Sequence, residues 1–330
     1  MRSSISSFNV TGRPGSHEQP PAFTSRDPAP FKAAPIVLIG TLIALLAGFE
    51  IFARMVVERH SKVQRLMTDE YREATRVRRA PGGRVKQLLL VGNSMVGHEI
   101  DLPLLREQLA PSCEVHRFWI YNTAYDDWYF GLQRLFAEGS RPDAVAVVFA
   151  AKHWYASGIR GDYSAQYLFR TEDLPEIRDR LELDRTASSS LLLARYSKAY
   201  ALRTEIRKVA LLLIMPHLPR LYDLFLPGSG KQIAENEIAP LLAGRILSYR
   251  QITDRYGAKL VLIVPPIPQP SDEHRAAMRK AAASAGVALV MPLSSADVPP
   301  QDYLDDIHLT PDGAKLFTSK AAEQLARATR

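Results

Sequence analysis

The longest apolar segment of the chain lies near its N-terminus. Residues 33–53 read AAPIVLIGTLIALLAGFEIFA, and Glu50 is their only charged side chain. About 20 consecutive apolar residues are enough to span the hydrocarbon core of a bilayer. We therefore predict an uncleaved transmembrane helix over residues 33–54. A cleaved signal peptide is the alternative, but the long polar stretch before the segment and the lack of a small-residue cleavage site after it disfavour that interpretation.

From Val85 onward, short apolar runs alternate with segments of helical periodicity. The predicted strands are Gln87–Val91, Glu114–Tyr121, Ala144–Phe149, Lys259–Val264 and Ala288–Met291. The predicted helices are Leu102–Leu109, Trp128–Glu138, Ile238–Tyr256, Asp272–Ala285 and Pro311–Ala326. Five strands separated by helices are typical of an α/β protein with a parallel sheet that is covered on both faces.

The same patterns divide the chain. Residues 1–32 are rich in Ser, Pro and Gly and are predicted to be a disordered tail. Residues 55–84 are charged with helical spacing, which predicts a helical stalk that lifts the domain from the membrane. Residues 85–330 form the α/β domain, and a helical insertion is expected at 155–239, where the alternation lapses. Within it, the apolar run Val209–Met215 is too short to span a bilayer and belongs to the core of this cap, to an acyl pocket or to the membrane surface.

Charge and cysteine content narrow the function classes. The formal net charge is +7 and the pI is near 9.4, which favours attraction to phospholipid head groups or acidic polymers. Nucleic acid is not an expected partner, because the positive charge carries no aromatic interleaving or zinc-finger spacing. The single cysteine, Cys113, excludes an intrachain disulfide and a cysteine-rich metal site. No metal and no cofactor are predicted.

Candidate chemistry lies at two distant positions. Ser94 follows the first predicted strand in a strand–turn–helix sequence, which places it at the carboxyl edge of the sheet, where open α/β folds build their sites. A helix start there supplies free N–H groups for an oxyanion. His308 is the only histidine with an aspartate three residues before it, Asp305, and it precedes the last helix. Together the three residues match a triad in which a carboxylate orients the imidazole that activates a serine.

These two segments resemble the SGNH (GDSL-like) hydrolase superfamily. Gly92-Asn93-Ser94-Met95 is similar to the first sequence block of that family, with Asn93 where aspartate is more usual, and Asp305-x-x-His308 is similar to the last block. The resemblance implies a flavodoxin-like three-layer α/β/α fold. It also implies Ser94 as nucleophile, His308 as base and Asp305 as the residue that orients the base.

The middle blocks of the family match poorly. Residues 121–127 contain no glycine to donate a backbone N–H to the oxyanion, so we expect Asp127 to supply this N–H. The family's asparagine after the third strand is absent, and Lys152 or His153 is expected in its place. With Ser94, these residues form the predicted oxyanion hole. Loss of one oxyanion donor typically lowers the rate about a hundred- to a thousandfold, so the departure bears on efficiency.

The resemblance and the apolar segment together predict a membrane-anchored serine esterase or O-acyltransferase. Its substrate would be an acyl ester, an acetyl ester above all, of cell-envelope polysaccharide or a small acyl ester. We expect it in the bacterial inner membrane, held by residues 33–54 with the catalytic domain outside the cytoplasm. Positive charges after the segment favour the opposite topology, although large domains translocate largely regardless of charge. A polysaccharide-biosynthesis protein of the same membrane is an expected partner.

Two alternatives remain open at this point. The altered middle blocks favour a catalytically degenerate SGNH-like module that binds an envelope polymer or assembles a membrane complex. An open apolar groove in the insertion would instead favour a lipid esterase or thioesterase.

Overall fold

The computed structural model describes residues 34–57, 59, 61–159, 162–204, 206–207, 235–268 and 274–329. The predicted disordered tail and the apolar run Val209–Met215 lie outside the described residues. The chain divides into two compact units, residues 1–46 and residues 47–330. In the first unit the described part is helical, and the second unit contains the sheet.

Five parallel strands form one sheet. They are β1 (Lys86–Gly92), β2 (Cys113–Trp119), β3 (Ala144–Val148), β4 (Lys259–Ile263) and β5 (Ala288–Val290). Their order in the sheet is β2-β1-β3-β4-β5, and every neighbouring pair is parallel. This is the flavodoxin-like order, in which the direction of winding reverses between β1 and β3. The fold class predicted from the sequence is confirmed.

The helices have the following bounds: α1 (Ala34–Phe52), α2 (Lys62–Arg76), α3 (Ser94–His98), α4 (Leu102–Leu109), α5 (Tyr125–Ala137), α6 (Ala151–Tyr155), α7 (Asp162–Tyr167), α8 (Leu174–Arg180), α9 (Arg185–Tyr196), α10 (Lys198–Ala201), α11 (Glu235–Arg255), α12 (Arg275–Ser284) and α13 (Pro311–Thr329). A π-helical turn, Ala53–Val57, continues α1.

Both faces of the sheet are covered, which makes three layers. Successive side chains of a strand point to opposite faces, and in β1 Leu89 and Val91 join one core while Leu88 and Leu90 join the other. Helices α2, α5, α11 and α12 pack on the first face, and α4 and α13 pack on the second. Continuous burial explains why the strands are apolar runs rather than alternating sequences.

The N-terminal helix has the length and composition of a membrane span. Within the described residues, one helical segment meets that description, Pro35–Met55, with a mean hydropathy of 2.4. Its large apolar side chains are exposed, for example Ile36 at 73% and Leu38 at 71%. A signal sequence would have the same length and composition.

Helix α2 corrects the predicted stalk. Met67 and Ala74 are buried in the core of the α/β domain, and the Glu70 carboxylate contacts the Arg117 guanidinium of β2 at 2.6 Å. Thr68 Oγ1 lies 2.8 Å from the hydroxyl of Tyr167 in α7. Residues 62–76 are therefore a helix of the layer on the first face and not a free-standing stalk. The charged face that suggested a stalk is only the solvent side of an amphipathic helix.

Helices α7 to α10 lie in the segment predicted as a helical insertion. They have a small core of their own, to which Phe169, Ile177 and Ala194 contribute, and Phe130 of α5 completes it. This cluster joins the insertion to the helix that follows β2.

Gly92 is required for the close approach of β1 to β3. Its φ is +152°, and a Cβ atom there would lie 2.4 Å from the carbonyl oxygen of Val148. We expect Gly92→Ala to destabilise the protein by about 1–3 kcal/mol, because backbone rather than a flexible side chain must move. Thermal unfolding of the full chain in detergent, followed by circular dichroism, measures this.

Gly244→Ala is the matched control for that measurement. Gly244 is exposed within α11, and a Cβ there would meet nothing within 4 Å in the described part of the chain. We expect this variant to be stabilised by about 0.5–1 kcal/mol through helix propensity. Equal melting temperatures for Gly92→Ala and the wild-type chain would contradict the packing argument.

Candidate active site

Ser94 is held at the carboxyl edge of the sheet by the turn that ends β1. Asn93 caps α3, since its Oδ1 accepts a hydrogen bond of 3.1 Å from the backbone N–H of Met95. Its Nδ2 donates to the carbonyl oxygen of Thr123 at 3.1 Å, which ties this turn to the loop after β2. Ser94 is the first residue of α3 and is 9% exposed. It lies at the position where the winding reverses, which is the ligand site of this topology.

His308 lies on a short closed loop before α13. The backbone N–H of Leu304 donates to the carbonyl oxygen of His308 at 2.8 Å, and Tyr303 pairs with Leu309 in an antiparallel bridge. Pro311 then opens α13, and Thr310 Oγ1 accepts from the N–H of Gly313 at 3.3 Å, as expected of an N-cap. The loop therefore has little freedom to move the imidazole.

The fold brings Ser94, His308 and Asp305 into one chain of hydrogen bonds. Ser94 Oγ lies 2.8 Å from His308 Nε2, and His308 Nδ1 lies 2.9 Å from Asp305 Oδ2. The other oxygen of Asp305 accepts from the N–H groups of Ile307 and His308, each at 2.8 Å. With a carboxylate at Nδ1, the neutral imidazole carries its proton there and presents the lone pair of Nε2 to the hydroxyl.

The surroundings of Asp305 keep it ionised. Partial burial alone would raise the pKa of Asp305, but the hydrogen bonds from the His308 ring and from the N–H groups of Ile307 and His308 outweigh it and lower the pKa below its usual value. An ionised carboxylate at this position stabilises the imidazolium that forms when a serine loses its proton.

Asp127 is the residue whose backbone N–H is predicted to donate to the oxyanion, and its carboxylate is held by hydrogen bonds at the start of α5. Asp127 is fully buried, its Oδ2 accepts from the N–H of Ala124 at 2.9 Å, and its Oδ1 accepts from the hydroxyl of Ser164 at 2.6 Å. It therefore stabilises the start of α5 and joins it to α7. Donation from its backbone N–H to an oxyanion stays a prediction.

Lys152 and His153 follow β3, the strand next to β1, so they lie at the same edge of the sheet as Ser94. Both side chains are half-buried. Burial lowers the pKa of Lys152, and the negative charges of Asp305 and Asp306 partly oppose this. The Lys152 ammonium is thus within electrostatic range of the Asp305 carboxylate. Which of the two residues faces an oxyanion stays a prediction.

His98 is a neighbour of the site, and its position four residues after Ser94 predicts a surface histidine or one beside the site rather than a metal ligand. Its ring centroid lies 4.5 Å from that of His308, with the planes tilted by 39°. Burial lowers the pKa of His98, and a positive charge on His308 lowers it further. The His98 ring therefore packs beside the His308 imidazole, and its burial and a charged His308 both disfavour its protonated form. Its spacing of four residues from Ser94 was the available signal.

Glu99 was missed by sequence reasoning, because a charged residue after a helix normally indicates an exposed position. It is fully buried, and its Oε2 accepts from the N–H of Leu309 at 2.9 Å, the residue next to His308. Within the described residues, Oε1 has no hydrogen-bond partner. Burial raises the pKa of Glu99 well above its usual value, and the bond from Leu309 opposes this only in part. Glu99 thus connects the end of α3 to the loop that contains His308.

A cleft of about 830 Å³ opens beside the start of α5. Tyr125, which follows the loop that binds Asn93, lies under two guanidinium groups, those of Arg245 at 4.5 Å and Arg180 at 5.4 Å from its ring centroid. Arg180 also contacts the Asp126 carboxylate at 3.2 Å. Asp126 is therefore one half of an ion pair rather than a metal ligand.

No protein-family model and no curated protein sequence matches the chain. Solved structures that resemble it include one described as TesA, with 15% identity, a TM-score of 0.38 and coverage of 73% of this chain and 98% of that one. A GDSL-like lipase from Bacteroides thetaiotaomicron has 11% identity, a TM-score of 0.37 and coverage of 81% and 97%. The acetylxylan esterase Axe2 from Geobacillus stearothermophilus has 12% identity, a TM-score of 0.34 and coverage of 74% and 94%. One of these neighbours is described as a GDSL-like lipase and another as an acetylxylan esterase.

Glu99→Gln separates the charge of this residue from its hydrogen bond. Because the pKa of Glu99 is raised on folding, its contribution to stability is complete below the unfolded pKa of about 4.3 and is lost as the pH rises toward the folded pKa. One such group changes the free energy of unfolding by at most about 1.4 kcal/mol per pH unit. We expect Glu99→Gln to lose less stability than the wild-type chain as the pH rises above about 5. Unfolding free energies measured over a pH series test this.

Two further variants complete the comparison. Glu99→Ala removes the acceptor of the Leu309 N–H and should be about 1–3 kcal/mol less stable than Glu99→Gln at every pH, because neither variant titrates at this position. Glu107→Gln, an exposed position on α4, controls for the loss of a carboxylate in general. A Glu99→Gln profile parallel to that of the wild-type chain would show that Glu99 is not a buried neutral acid.

Proposed function

We propose that this chain is a membrane-anchored serine esterase or O-acyltransferase that acts on acyl esters, with acetyl groups of cell-envelope polysaccharide as its substrate class. The observation that carries the proposal is the hydrogen-bonded series Ser94–His308–Asp305, with distances of 2.8 and 2.9 Å. A buried serine with its hydroxyl on an imidazole, and that imidazole on an ionised carboxylate, is the arrangement that generates an alkoxide nucleophile. The proposal of a polysaccharide substrate rests on the resemblance of the sequence to the SGNH superfamily.

The reaction follows from these contacts. Ser94 Oγ attacks the acyl carbonyl carbon while His308 Nε2 takes the hydroxyl proton, and Asp305 stabilises the resulting imidazolium. The tetrahedral intermediate collapses, the alcohol leaves with the proton from Nε2, and the acyl group stays on Ser94 as an ester. Water or an acceptor hydroxyl then attacks this ester with His308 again as base, and the product acid or new ester departs.

Stabilisation of the oxyanion is assigned to two sources. Ser94 is the first residue of α3, so its backbone N–H precedes the first intrahelical hydrogen bond and is available to an oxygen bound there. Lys152, at the adjacent strand end and depressed in pKa by burial, is the preferred second donor. A cation in a partly desolvated site stabilises developing negative charge more strongly than it would in water.

A fluorophosphonate probe tests the nucleophile directly. We expect the full chain in detergent to be labelled covalently, and Ser94→Ala to lose the label. His308→Ala should slow labelling by up to about 10⁶-fold, because the hydroxyl then has no base. The same set of proteins is assayed for acetate release from an O-acetylated polysaccharide.

Ser189→Ala, an exposed serine on α9, is the matched control and should label like the wild-type chain. Labelling that survives Ser94→Ala would contradict the assignment of the nucleophile. A folded wild-type chain without any label would favour the non-enzymatic alternative, a module that binds an envelope polymer.

The location is proposed from the apolar segment and the family resemblance. Residues 33–54 would anchor the protein in the bacterial inner membrane, with the α/β domain on the outer side. An alkaline phosphatase reporter at the C-terminus should be active, since that enzyme folds only where disulfides form. A β-galactosidase fusion at the same position is the paired control and should be inactive; the reverse pattern would place the domain in the cytoplasm and contradict an envelope substrate.

A further inference from the structure

An apolar face of the insertion is exposed on α9. Leu192, Leu193 and Tyr196 are 42%, 51% and 63% exposed, whereas Ala194 between them is buried. At 100° per residue, the three exposed side chains fall within a sector of about 100°, and Arg185 at the other end of the helix shares it. The outward sector of α9 is therefore apolar at its C-terminal end, where Leu192, Leu193 and Tyr196 lie, and polar toward its N-terminus, where Ser189 is exposed. Such a face indicates a surface that is covered in the working protein.

The end of α9 is fixed to the last turns of the apolar N-terminal segment. The Glu50 carboxylate accepts from the hydroxyl of Ser197 at 2.7 Å and from the N–H groups of Lys198 and Ala199 at 2.9 and 3.1 Å. Arg54 contacts Glu50 at 2.6 Å. The sole charged residue of the 33–53 segment is thus used to hold the start of α10.

A second contact comes from Arg54, whose Nη2 lies 3.4 Å from the carbonyl oxygen of Tyr196. Both residues belong to the unit 47–330, as do the exposed apolar side chains Phe52 and Met55, at 47% and 53%. The apolar face of α9 and the apolar residues around position 52 are therefore neighbouring parts of one surface.

We propose that this face of α9, formed by Leu192, Leu193 and Tyr196, lies in the interfacial layer of the phospholipid bilayer. Each interfacial layer is about 5–8 Å thick, and one helical turn is about 5 Å long. Leu192 and Leu193 lie one turn from Tyr196, which touches Arg54 in the last turn of the span. If residue 54 is at the membrane surface, these side chains are within or next to the lipid head groups. The inference rests on the anchoring part of the proposed function.

The composition of the face fits lipid better than a protein partner. Tyrosine is enriched where one end of the ring is apolar and the other is wet, and arginines such as Arg54 and Arg185 extend to phosphate while their stems lie on apolar surface. A second attachment, fixed by Glu50, would hold the domain in one orientation to the membrane rather than leave it on a flexible tether. The site edge would then be presented at a constant height above the bilayer.

Lipid quenching of a site-specific dye tests the proposal on the full chain. Leu193→Cys is labelled with a polarity-sensitive fluorophore and reconstituted into vesicles of phosphatidylethanolamine and phosphatidylglycerol with or without doxyl-labelled lipid. The native Cys113 is buried and burial raises its pKa to about 11, so it remains an unreactive thiol. We expect a blue-shifted emission at position 193 that doxyl lipid quenches.

Four companion variants serve as controls for this measurement. Leu247→Cys, on α11 and 43% exposed, should keep an aqueous spectrum, and Phe49→Cys should be quenched as part of the span. Glu50→Ala in the Leu193→Cys background should lose quenching at 193 while Phe49→Cys with the same change keeps it.

Quenching at 49 without quenching at 193 would overturn the assignment of α9 and leave the anchor intact. No quenching at either position would overturn the anchor itself, and equal quenching at 247 would show that the contact is not specific to α9. Probe labelling of Ser94 is independent of all three results, so the failure of this inference and the failure of the enzymatic proposal are distinguishable.

Discussion

The hydrogen bond between Ser94 Oγ and His308 Nε2 is the interaction on which the site depends, and it joins residues 214 positions apart in the chain. Two loops at one edge of the sheet must be placed to within a few tenths of an ångström for it to form. The parallel order places the end of β1 in the interior of the sheet, and the last helix returns over the face that contains α3 and α4. The distance between Ser94 Oγ and His308 Nε2 therefore depends on the correct packing of the whole domain.

Buried polar side chains hold in place the segments that contain Ser94 and His308. Glu99 binds the N–H next to His308, and Thr318 of α13 accepts from the N–H of Asp101 at 2.9 Å. Asn93 joins the turn that contains Ser94 to the loop after β2. Each bond joins a segment close to Ser94 in sequence to a segment that is distant from it in sequence. Buried hydrogen bonds of this kind are costly to leave unmade, so they limit the loops to a single arrangement.

The chain differs from the SGNH sequence blocks that it resembles at several positions, and the side chains at these positions make different contacts. Asn93 in place of aspartate is well used, because an amide both accepts from Met95 and donates to Thr123, and a carboxylate has no proton to donate. Asp127 in the glycine-poor second block has a local purpose, since its carboxylate caps α5 and binds Ser164. In the third block, Lys152 and His153 follow β3 where the pattern has an asparagine, and donation from either of them to an oxyanion stays a prediction.

The sequence by itself determined the order of strands and helices, because burial on both faces leaves continuous apolar runs and helix caps have local signatures such as Thr310-Pro311. It also identified Ser94, Asp305 and His308 as candidates, since their neighbours in sequence create the turn and the i,i+3 spacing. It misplaced residues 62–76 as a stalk, and it left Glu50, His98 and Glu99 without a partner. Their contacts join segments far apart in the chain, and amphipathicity gives the direction of a buried face but not what covers it. Only the tertiary structure decided those pairings, because the N–H groups that bind the carboxylates of Glu50 and Glu99 belong to residues far away in sequence.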